Sequence, residues 1–179
     1  MTYSMLNNQT QLAETDNLET ASVTVTIDNK KTTVQRGTTI LQAAQQLGIF
    51  IPTLCNHPDL PPHGVCRVCI VEVEGEDVLQ ASCEYKITRP IVIHTQSYKV
   101  IRTRQEVVDL LFSKHYGFWN HDTCPRNQNC ELQAIAKYGT SPMHYGVATQ
   151  PYIVDHSSYS IVRDMNKCVL CFRCVQTCK

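Results

Sequence analysis

Residues 55–83 read CNHPDLPPHGVCRVCIVEVEGEDVLQASC, a stretch that joins a loop to a hairpin. Three prolines and a glycine lie in its first third, which predicts a shaped loop. Ile70 to Val73 then reads as a strand, Glu74-Gly75 as a turn, and Val78 to Ser82 as the returning strand. Four cysteines are placed on the loops around these strands, with the spacing Cys55-x10-Cys66-x2-Cys69-x13-Cys83.

The residues before this stretch predict a hairpin followed by a helix. Val23 to Asp28 alternates apolar and polar residues, Asn29-Lys30 supplies a turn, and Lys31 to Gln35 returns. Thr38 is the predicted N-cap of a helix that ends before Gly48. A last strand follows at Ile91 to His94. Strands, one helix and further strands, with cysteines on loops, predict a small α+β domain.

A second helix is predicted from an N-cap at Ser97 to about Lys114. Its buried side is formed by apolar residues at helical spacing: Val100, Ile101, Val107, Val108, Leu111 and Phe112. Its basic residues are predicted to form a solvated face: Lys99, Arg102 and Arg104. Beyond His115, helical character returns only briefly, around Leu132 to Lys137.

Composition argues against several classes of protein. The chain has 179 residues, with 16 Lys plus Arg against 16 Asp plus Glu, so no excess charge indicates nucleic acid or an anionic membrane as a partner. No stretch approaches the ~20 apolar residues of a membrane span. Residues 1–21 are predicted to be a polar tail without secretory features. A cytoplasmic location is therefore expected, where ten cysteines indicate metal binding rather than disulfides.

Four thiolates gathered from loops are the ligand set of an iron–sulfur cluster. Gly64 is expected to let the backbone approach sulfur closely, and Arg67 to donate charge-assisted hydrogen bonds near the cluster. Zinc is the alternative, because Cys66-x2-Cys69 also occurs in zinc knuckles. Structural zinc sites usually pair two such units, whereas Cys55 and Cys83 stand alone, which favours iron and sulfide.

A second cysteine run follows near the C-terminus, with the spacing Cys168-x2-Cys171-x2-Cys174-x3-Cys178. This is the spacing of bacterial ferredoxins, in which three cysteines hold one [4Fe–4S] cluster and the fourth holds another. Lys179 stands where that pattern has proline, and no second run follows. Either the chain is a fragment of a longer subunit, or all four cysteines bind a single cluster or a site that a partner completes.

The loop His-Pro-Asp-Leu-Pro-Pro and the Cys-Arg-x-Cys motif, with their spacing, resemble the N-terminal iron–sulfur region of one group of proteins. Its members are the large iron–sulfur subunit of complex I, the NADH-linked [FeFe]-hydrogenases, the NAD-dependent formate dehydrogenases, and the small diaphorase subunit of NAD-reducing [NiFe]-hydrogenases. The resemblance implies a β-grasp ferredoxin fold with a [2Fe–2S] cluster on the first four cysteines. His57 and His63 then count as loop packing, not ligands.

The same group next carries a [4Fe–4S] cluster in a His-x3-Cys-x2-Cys-x5-Cys motif that ends in Glu-Leu-Gln. Here residues 114–133 read KHYGFWNHDTCPRNQNCELQ, so one cysteine is missing. Either His115 or His121 aligns with the motif histidine. Both alignments leave the same candidate ligands for an atypical cluster: His121, Cys124, Cys130 and His115. The competing interpretation is a site that has lost its cluster.

The resemblance implies three consecutive units after the tail. They are a β-grasp domain at 22–97, a small helical His/Cys cluster domain at 98–145, and the first half of a bacterial-type ferredoxin domain at 146–179. No dinucleotide motif, phosphate loop or Ser/His/Asp arrangement occurs, so no catalytic residue of its own is expected.

The function that the resemblance implies is electron relay in a multisubunit NAD(P)H-linked oxidoreductase, with a hydrogenase favoured over formate dehydrogenase and complex I. The partners would be a flavin-bearing, NAD(P)H-oxidising subunit and a terminal catalytic subunit or domain. Two other classes are a zinc-binding assembly module and a diffusing ferredoxin-like carrier. A net charge of zero argues against the carrier, because such proteins usually use acidic surfaces to dock.

Overall fold

The computed structural model describes residues 21–115, 129–139, 145 and 151–178. Its centre is a five-stranded mixed sheet in the order β2-β1-β5-β3-β4. β1 and β5 are parallel, and the remaining neighbours are antiparallel. The strands span β1 Ser22–Ile27, β2 Lys30–Gln35, β3 Ile70–Val73, β4 Gln80–Ala81 and β5 Val92–His94.

The first hairpin has the predicted strands, but its turn begins one residue earlier than predicted. Ser22 pairs with Gln35 and Ile27 with Lys30, so the two-residue turn is Asp28-Asn29, not Asn29-Lys30. Both turn residues have positive φ, at 45° and 67°, as a type I′ hairpin requires. The other predicted strands are confirmed with shorter bounds in β4 and β5.

Helix α1, Ile40–Gln46, packs against the loop that follows β4. Its N-cap is Thr39, not Thr38, and forms a capping box in which the side chains and backbones of Thr39 and Gln42 bond reciprocally. The next two backbone N–H groups, of Ile40 and Leu41, donate to the carbonyls of Tyr85 and Ser82. The start of the helix therefore holds the segment that carries Cys83.

Helix α2, Tyr98–Lys114, has Ser97 as its N-cap, as predicted. Val100, Val108 and Phe112 are buried on its inner face, as predicted, but Ile101 is exposed, which contradicts its predicted place on the buried side. Arg104 departs from the prediction. It was placed on the solvated face, but its side chain is buried between Val100 and Val108, one helical turn from each.

Two apolar cores result from this arrangement. The first core lies between the sheet and α1. The second core is formed by the loop that carries Cys55 and Cys66 together with α2 and helix α3, Glu131–Ile135. A 3-10 helix, Ala136–Tyr138, continues from α3. The C-terminal segment carries a 3-10 turn, Met165–Lys167, and the short helix α4, Arg173–Thr177.

The mixed α/β architecture agrees with the predicted α+β class. Within the described ranges, no helix is both long and apolar enough to cross a membrane. The predicted units 98–145 and 146–179 stay predictions, since most of residues 116–150 lie outside the described ranges.

Candidate iron–sulfur centre

Four cysteine side chains meet between the two cores, three from the loop before β3 and one from the segment after β4. Their exposed fractions are small, 1% for Cys55, 6% for Cys66, 1% for Cys69 and 2% for Cys83. The thiol of Cys55 contacts those of Cys66 and Cys83, and the thiol of Cys83 also contacts that of Cys69. The predicted set of four is therefore brought together as one continuous group of sulfur atoms, away from water.

The sheet fixes the half of this group that contains Cys69 and Cys83. Cys69 directly precedes β3, and its carbonyl accepts a hydrogen bond of 3.2 Å from the Ser82 N–H. Cys83 follows β4 and lies in the segment that α1 holds. Cys69 and Cys83 thus sit at matching ends of an antiparallel pair, in which Ile70 faces Ala81.

The proline-rich loop carries the other half. No helix or strand forms between residues 51 and 69, as predicted for this shaped loop. Gly64 has φ of 55° and is buried, and a Cβ built there would lie 2.2 Å from the Glu84 carboxylate. The close approach at Gly64 is therefore made by Glu84. Arg67 also has a positive φ, 58°, and an exposed side chain, so its predicted role beside a cluster stays a prediction.

The thiols perturb one another strongly. Hydrogen bonds from Cys66 and Cys83 lower the pKa of Cys55 to about 2, and a hydrogen bond from Cys83 lowers the pKa of Cys69 to about 6. Their partners move in the opposite direction, because a hydrogen bond to Cys55 raises the pKa of both Cys66 and Cys83. The same hydrogen bonds thus favour ionisation of Cys55 and Cys69 and oppose ionisation of Cys66 and Cys83. All four can be thiolates together only if positive charge binds among them.

The residues present fit an iron–sulfur cluster. The Ser82 hydroxyl is buried and has no oxygen or nitrogen hydrogen-bond partner among the described residues; it lies beside Cys69, and its interaction with that thiol helps to lower the pKa of Cys69. An anionic cluster would offer this donor a sulfur acceptor and would supply the iron charge that four thiolates need.

The C-terminal cysteines are arranged differently. Cys168 and Cys171 are half-buried, and Cys174 and Cys178 are exposed. Leu170 and Phe172 both have left-handed backbone, with φ of 56° and 58°, so the run bends sharply between its cysteines. None of the nine cysteines in the described ranges forms a disulfide.

This C-terminal run packs directly on the loop that carries Cys55. Val169 and Cys171 join the second core, which contains Cys55 and Cys66. The His63 ring lies with Nε2 3.3 Å from the Cys171 carbonyl oxygen. Two cysteine sets that are a hundred residues apart in sequence therefore share one apolar core, which the sequence did not reveal.

Arg173 connects the C-terminal cysteine run to the loop that carries Cys55. Its guanidinium donates to the backbone carbonyls of Leu54 and Asn56, on either side of Cys55. It also donates two hydrogen bonds, of 2.8 and 2.9 Å, to the carboxylate of Glu131. Since Glu131 follows Cys130, one side chain ties together the segments that carry Cys55, Cys130 and Cys171. Sequence analysis did not single out Arg173, although its position between Cys171 and Cys174 could have drawn attention to it.

The middle site is only partly described. His115 is buried at the C-terminal end of α2, and Cys130 is half-buried against the second core. His121 and Cys124 lie outside the described residues. The assignment of these four residues to an atypical cluster stays a prediction.

Residues 20–98 match the family of 2Fe-2S iron-sulfur cluster binding domains. This match defines the class of the sheet-bearing part of the chain, which is a [2Fe–2S] domain.

Relatives of the chain extend the match. A NADP-reducing hydrogenase subunit from Solidesulfovibrio fructosivorans is 40% identical over 87% of this chain and 28% of its own length. The gamma subunit of the NAD-reducing hydrogenase of Cupriavidus necator is 33% identical, over 87% of this chain and 65% of its own length. A crystal structure of an NAD+-reducing [NiFe]-hydrogenase in the H2-reduced state matches with a TM-score of 0.75 and 33% identity, over 87% of this chain and 65% of that one. The predicted resemblance is confirmed by these hydrogenase relatives, of which the chain spans between about a quarter and two thirds.

Proposed function

We propose that this chain is an iron–sulfur electron-relay module of a multisubunit NAD(P)H-linked oxidoreductase, most closely of the hydrogenase type. The observation that carries the proposal is the set of four buried, mutually contacting cysteines inside a matched [2Fe–2S] domain. Two of the relatives are hydrogenase subunits that differ in length, and they support the choice of a hydrogenase-type complex.

Cys55, Cys66, Cys69 and Cys83 would hold the [2Fe–2S] cluster, which supplies one-electron chemistry when bound. The chain's own contribution is burial and orientation. The second core covers Cys55 and Cys66 and keeps water from the sulfur atoms. The sheet holds Cys69 and Cys83 at a fixed separation, so little rearrangement is needed when the charge of the site changes.

The C-terminal run would hold a [4Fe–4S] cluster through Cys168, Cys171, Cys174 and Cys178. Its contact with the Cys55 loop supports a relay, since Arg173 and His63 bridge the two segments directly. The middle site would be a third, atypical cluster on His115, His121, Cys124 and Cys130, of which Cys130 packs against the second core. On this proposal electrons pass through one packed unit and not between distant domains.

The partners follow from the chemistry that the chain lacks. No hydride acceptor is encoded, so we infer a flavin-bearing, NAD(P)H-oxidising subunit on one side and a terminal catalytic subunit or domain on the other. Reduced thiols and balanced charge fit a cytoplasmic complex.

The test is metal analysis and EPR of anaerobically purified full chain. Iron and acid-labile sulfide in near-equal amounts, with a [2Fe–2S] signal after dithionite reduction, is the expected result. Faster-relaxing signals would count the [4Fe–4S] clusters. Zinc without sulfide would overturn the proposal and leave a zinc-binding assembly module.

A pair of variants assigns the signals. Cys66→Ser should remove the [2Fe–2S] signal and leave the others, whereas Cys178→Ser should do the reverse. The two changes are chemically identical, so each is the control for the other. Survival of the [2Fe–2S] spectrum in Cys66→Ser would show that the ligand assignment is wrong.

A further inference from the structure

Arg104 is the most deeply buried cation in the described part of the chain, with 2% of its side chain exposed. It lies on the inner face of α2, between the fully buried Val100 and Val108. Its guanidinium points toward the sheet: Nε donates to the Val68 carbonyl at 3.1 Å, and Nη2 donates to the Ile70 carbonyl at 2.8 Å. Since these two residues flank Cys69, Arg104 is hydrogen-bonded to the backbone on either side of a candidate ligand.

Among the described residues, the buried Arg104 forms no ion pair with a carboxylate, in contrast to four arginines that are more exposed. Within the described ranges, Arg89, Arg102, Arg163 and Arg173 each form an ion pair with a carboxylate. The hydrogen bonds of Arg104 go instead to backbone carbonyls, the third being that of Thr95 at 3.4 Å. Burying an ionised group without a counter-charge is costly in proteins, because the group loses its hydration without gaining an opposite charge.

The bonds to the carbonyls on either side of Cys69 place the Arg104 charge beside the four-cysteine group, and the pKa of Arg104 responds to that surrounding. Burial lowers the pKa of Arg104, and the electrostatic interactions with Tyr138 and Cys69 oppose that shift. Tyr138 lies on the 3-10 helix after α3, and Cys69 belongs to the four-cysteine group. Negative charge gathered at the cysteines therefore favours the ionised form of Arg104.

We propose that Arg104 is a positioning residue whose buried charge balances the anionic cluster at the four cysteines and raises its reduction potential. This inference rests on the proposed [2Fe–2S] site. A cluster with four thiolate ligands is anionic, and reduction adds one more negative charge. A fixed cation nearby attracts the reduced form more strongly than the oxidised form, and the dry surroundings keep that attraction from being screened. Net charge and hydrogen bonding near the cluster are the levers that set such potentials.

The test compares three substitutions at one position. Arg104→Lys keeps the charge but loses the forked hydrogen bonds, and Arg104→Gln keeps donors without charge. Arg104→Met fills similar space with no buried polar head, which makes it the neutral variant least prone to unfolding. Arg102→Gln is the matched control, because Arg102 lies on the same helix but is exposed and paired with Glu106.

The readouts are the midpoint potential from an EPR-monitored titration, the iron and sulfide content, and the melting temperature. We expect the neutral variants to be reduced at least tenfold less favourably, which is about 59 mV more negative for a one-electron couple. Arg104→Lys should keep most of the original potential, and Arg102→Gln should leave it unchanged. A lower melting temperature is expected in all three Arg104 variants, since all lose hydrogen bonds.

Loaded neutral variants with an unchanged potential would overturn the inference and leave Arg104 as a structural link between α2 and the sheet. If both neutral variants lost the cluster while Arg104→Lys retained it, the need for charge would be supported. Loss of the cluster in all three variants would contradict the charge argument. Cluster binding would then require the forked hydrogen bonds of the guanidinium and not its charge. Absence of iron and sulfide from the unsubstituted protein would instead refute the proposed function itself.

Discussion

The first and last cysteine runs of this chain each supply four candidate ligands, but they differ in spacing and in how the fold surrounds them. The first run is enclosed by two cores, and its thiols are nearly without solvent exposure. The second run ends in two exposed cysteines on either end of the five-residue helix α4. Cysteine spacing thus predicts ligands in both runs. Only the surrounding apolar core shows whether this chain alone encloses the cysteines.

The largest expected effect is that of removing iron from the first site. Without a metal charge, the four buried cysteines cannot all be thiolates in a space shaped for a cluster, and their mutual hydrogen bonds offset only part of that loss. We expect chelation and sulfide removal to lower the melting temperature by about 10 °C or more, a loss of a few kcal/mol for a domain of this size.

Hydrogen exchange would show where the loss occurs. Protection should fall in β3 and β4 far more than in α4, since the second run contributes little buried structure. Equal loss of protection in both regions would contradict the contrast between them.

Arg173 is the next test, because it connects the weakly enclosed run to the strongly enclosed one. Arg173→Ala removes the bonds to the Leu54 and Asn56 carbonyls and to Glu131. We expect residues 168–178 to exchange amide hydrogens at least tenfold faster, since hydrogen bonds to charged groups contribute about 1.5–3 kcal/mol each when buried and less here at a partly exposed site.

Glu131→Gln is the control for that variant. It weakens the ion pair but keeps the carbonyl bonds, so it should have a clearly smaller effect. If the two variants behaved alike, the surface ion pair and not the bond to the Cys55 loop would hold the run.

Gly64→Ala tests how tightly the first loop is shaped. The backbone there has φ of 55°, and the added methyl group would meet the Glu84 carboxylate. The left-handed conformation costs about 1–2 kcal/mol for a residue with a Cβ. The measurement is denaturant unfolding of the variant with and without Glu84→Ala. A cost that persisted in the double variant would come from the backbone, and one that vanished would come from the carboxylate.

The smallest effect is expected at Arg163, in the weakly enclosed region. Arg163 forms an exposed ion pair of 3.1 Å with Asp155, whose pKa is lowered mainly by hydrogen bonds from Ser157. Exposed pairs contribute about 0–1 kcal/mol, so Arg163→Ala should change global stability by less than about 0.5 kcal/mol. A larger change in calorimetry would mean that this segment is more tightly held than its exposure indicates.

Much of the fold could be predicted because its signals are local. Alternating residues gave the first hairpin, and the Ser97 cap gave the start of α2. The errors at Asn29-Lys30 and Thr38 were of one residue, since neighbouring polar residues compete for the same turn or cap. Cysteine spacing likewise brought the four buried thiols into one predicted set.

The parts that could not be predicted depend on distant contacts or on burial against expectation. Arg104 was assigned to solvent because charged helical residues usually are, although its spacing of four from both Val100 and Val108 marked the inner face. The bonds of Arg173 to Leu54 and Asn56 join residues separated by 119 and 117 positions, which no local pattern encodes.

Those long-range bonds also order the events of biosynthesis. The strands, α1 and the four buried cysteines all lie before residue 98, so they leave the ribosome well before Arg173 is made. Domains fold from the N-terminus during synthesis, at roughly 5–20 residues per second. The first cysteine loop is then already folded when the last run emerges, and it serves as the template on which that run is shaped.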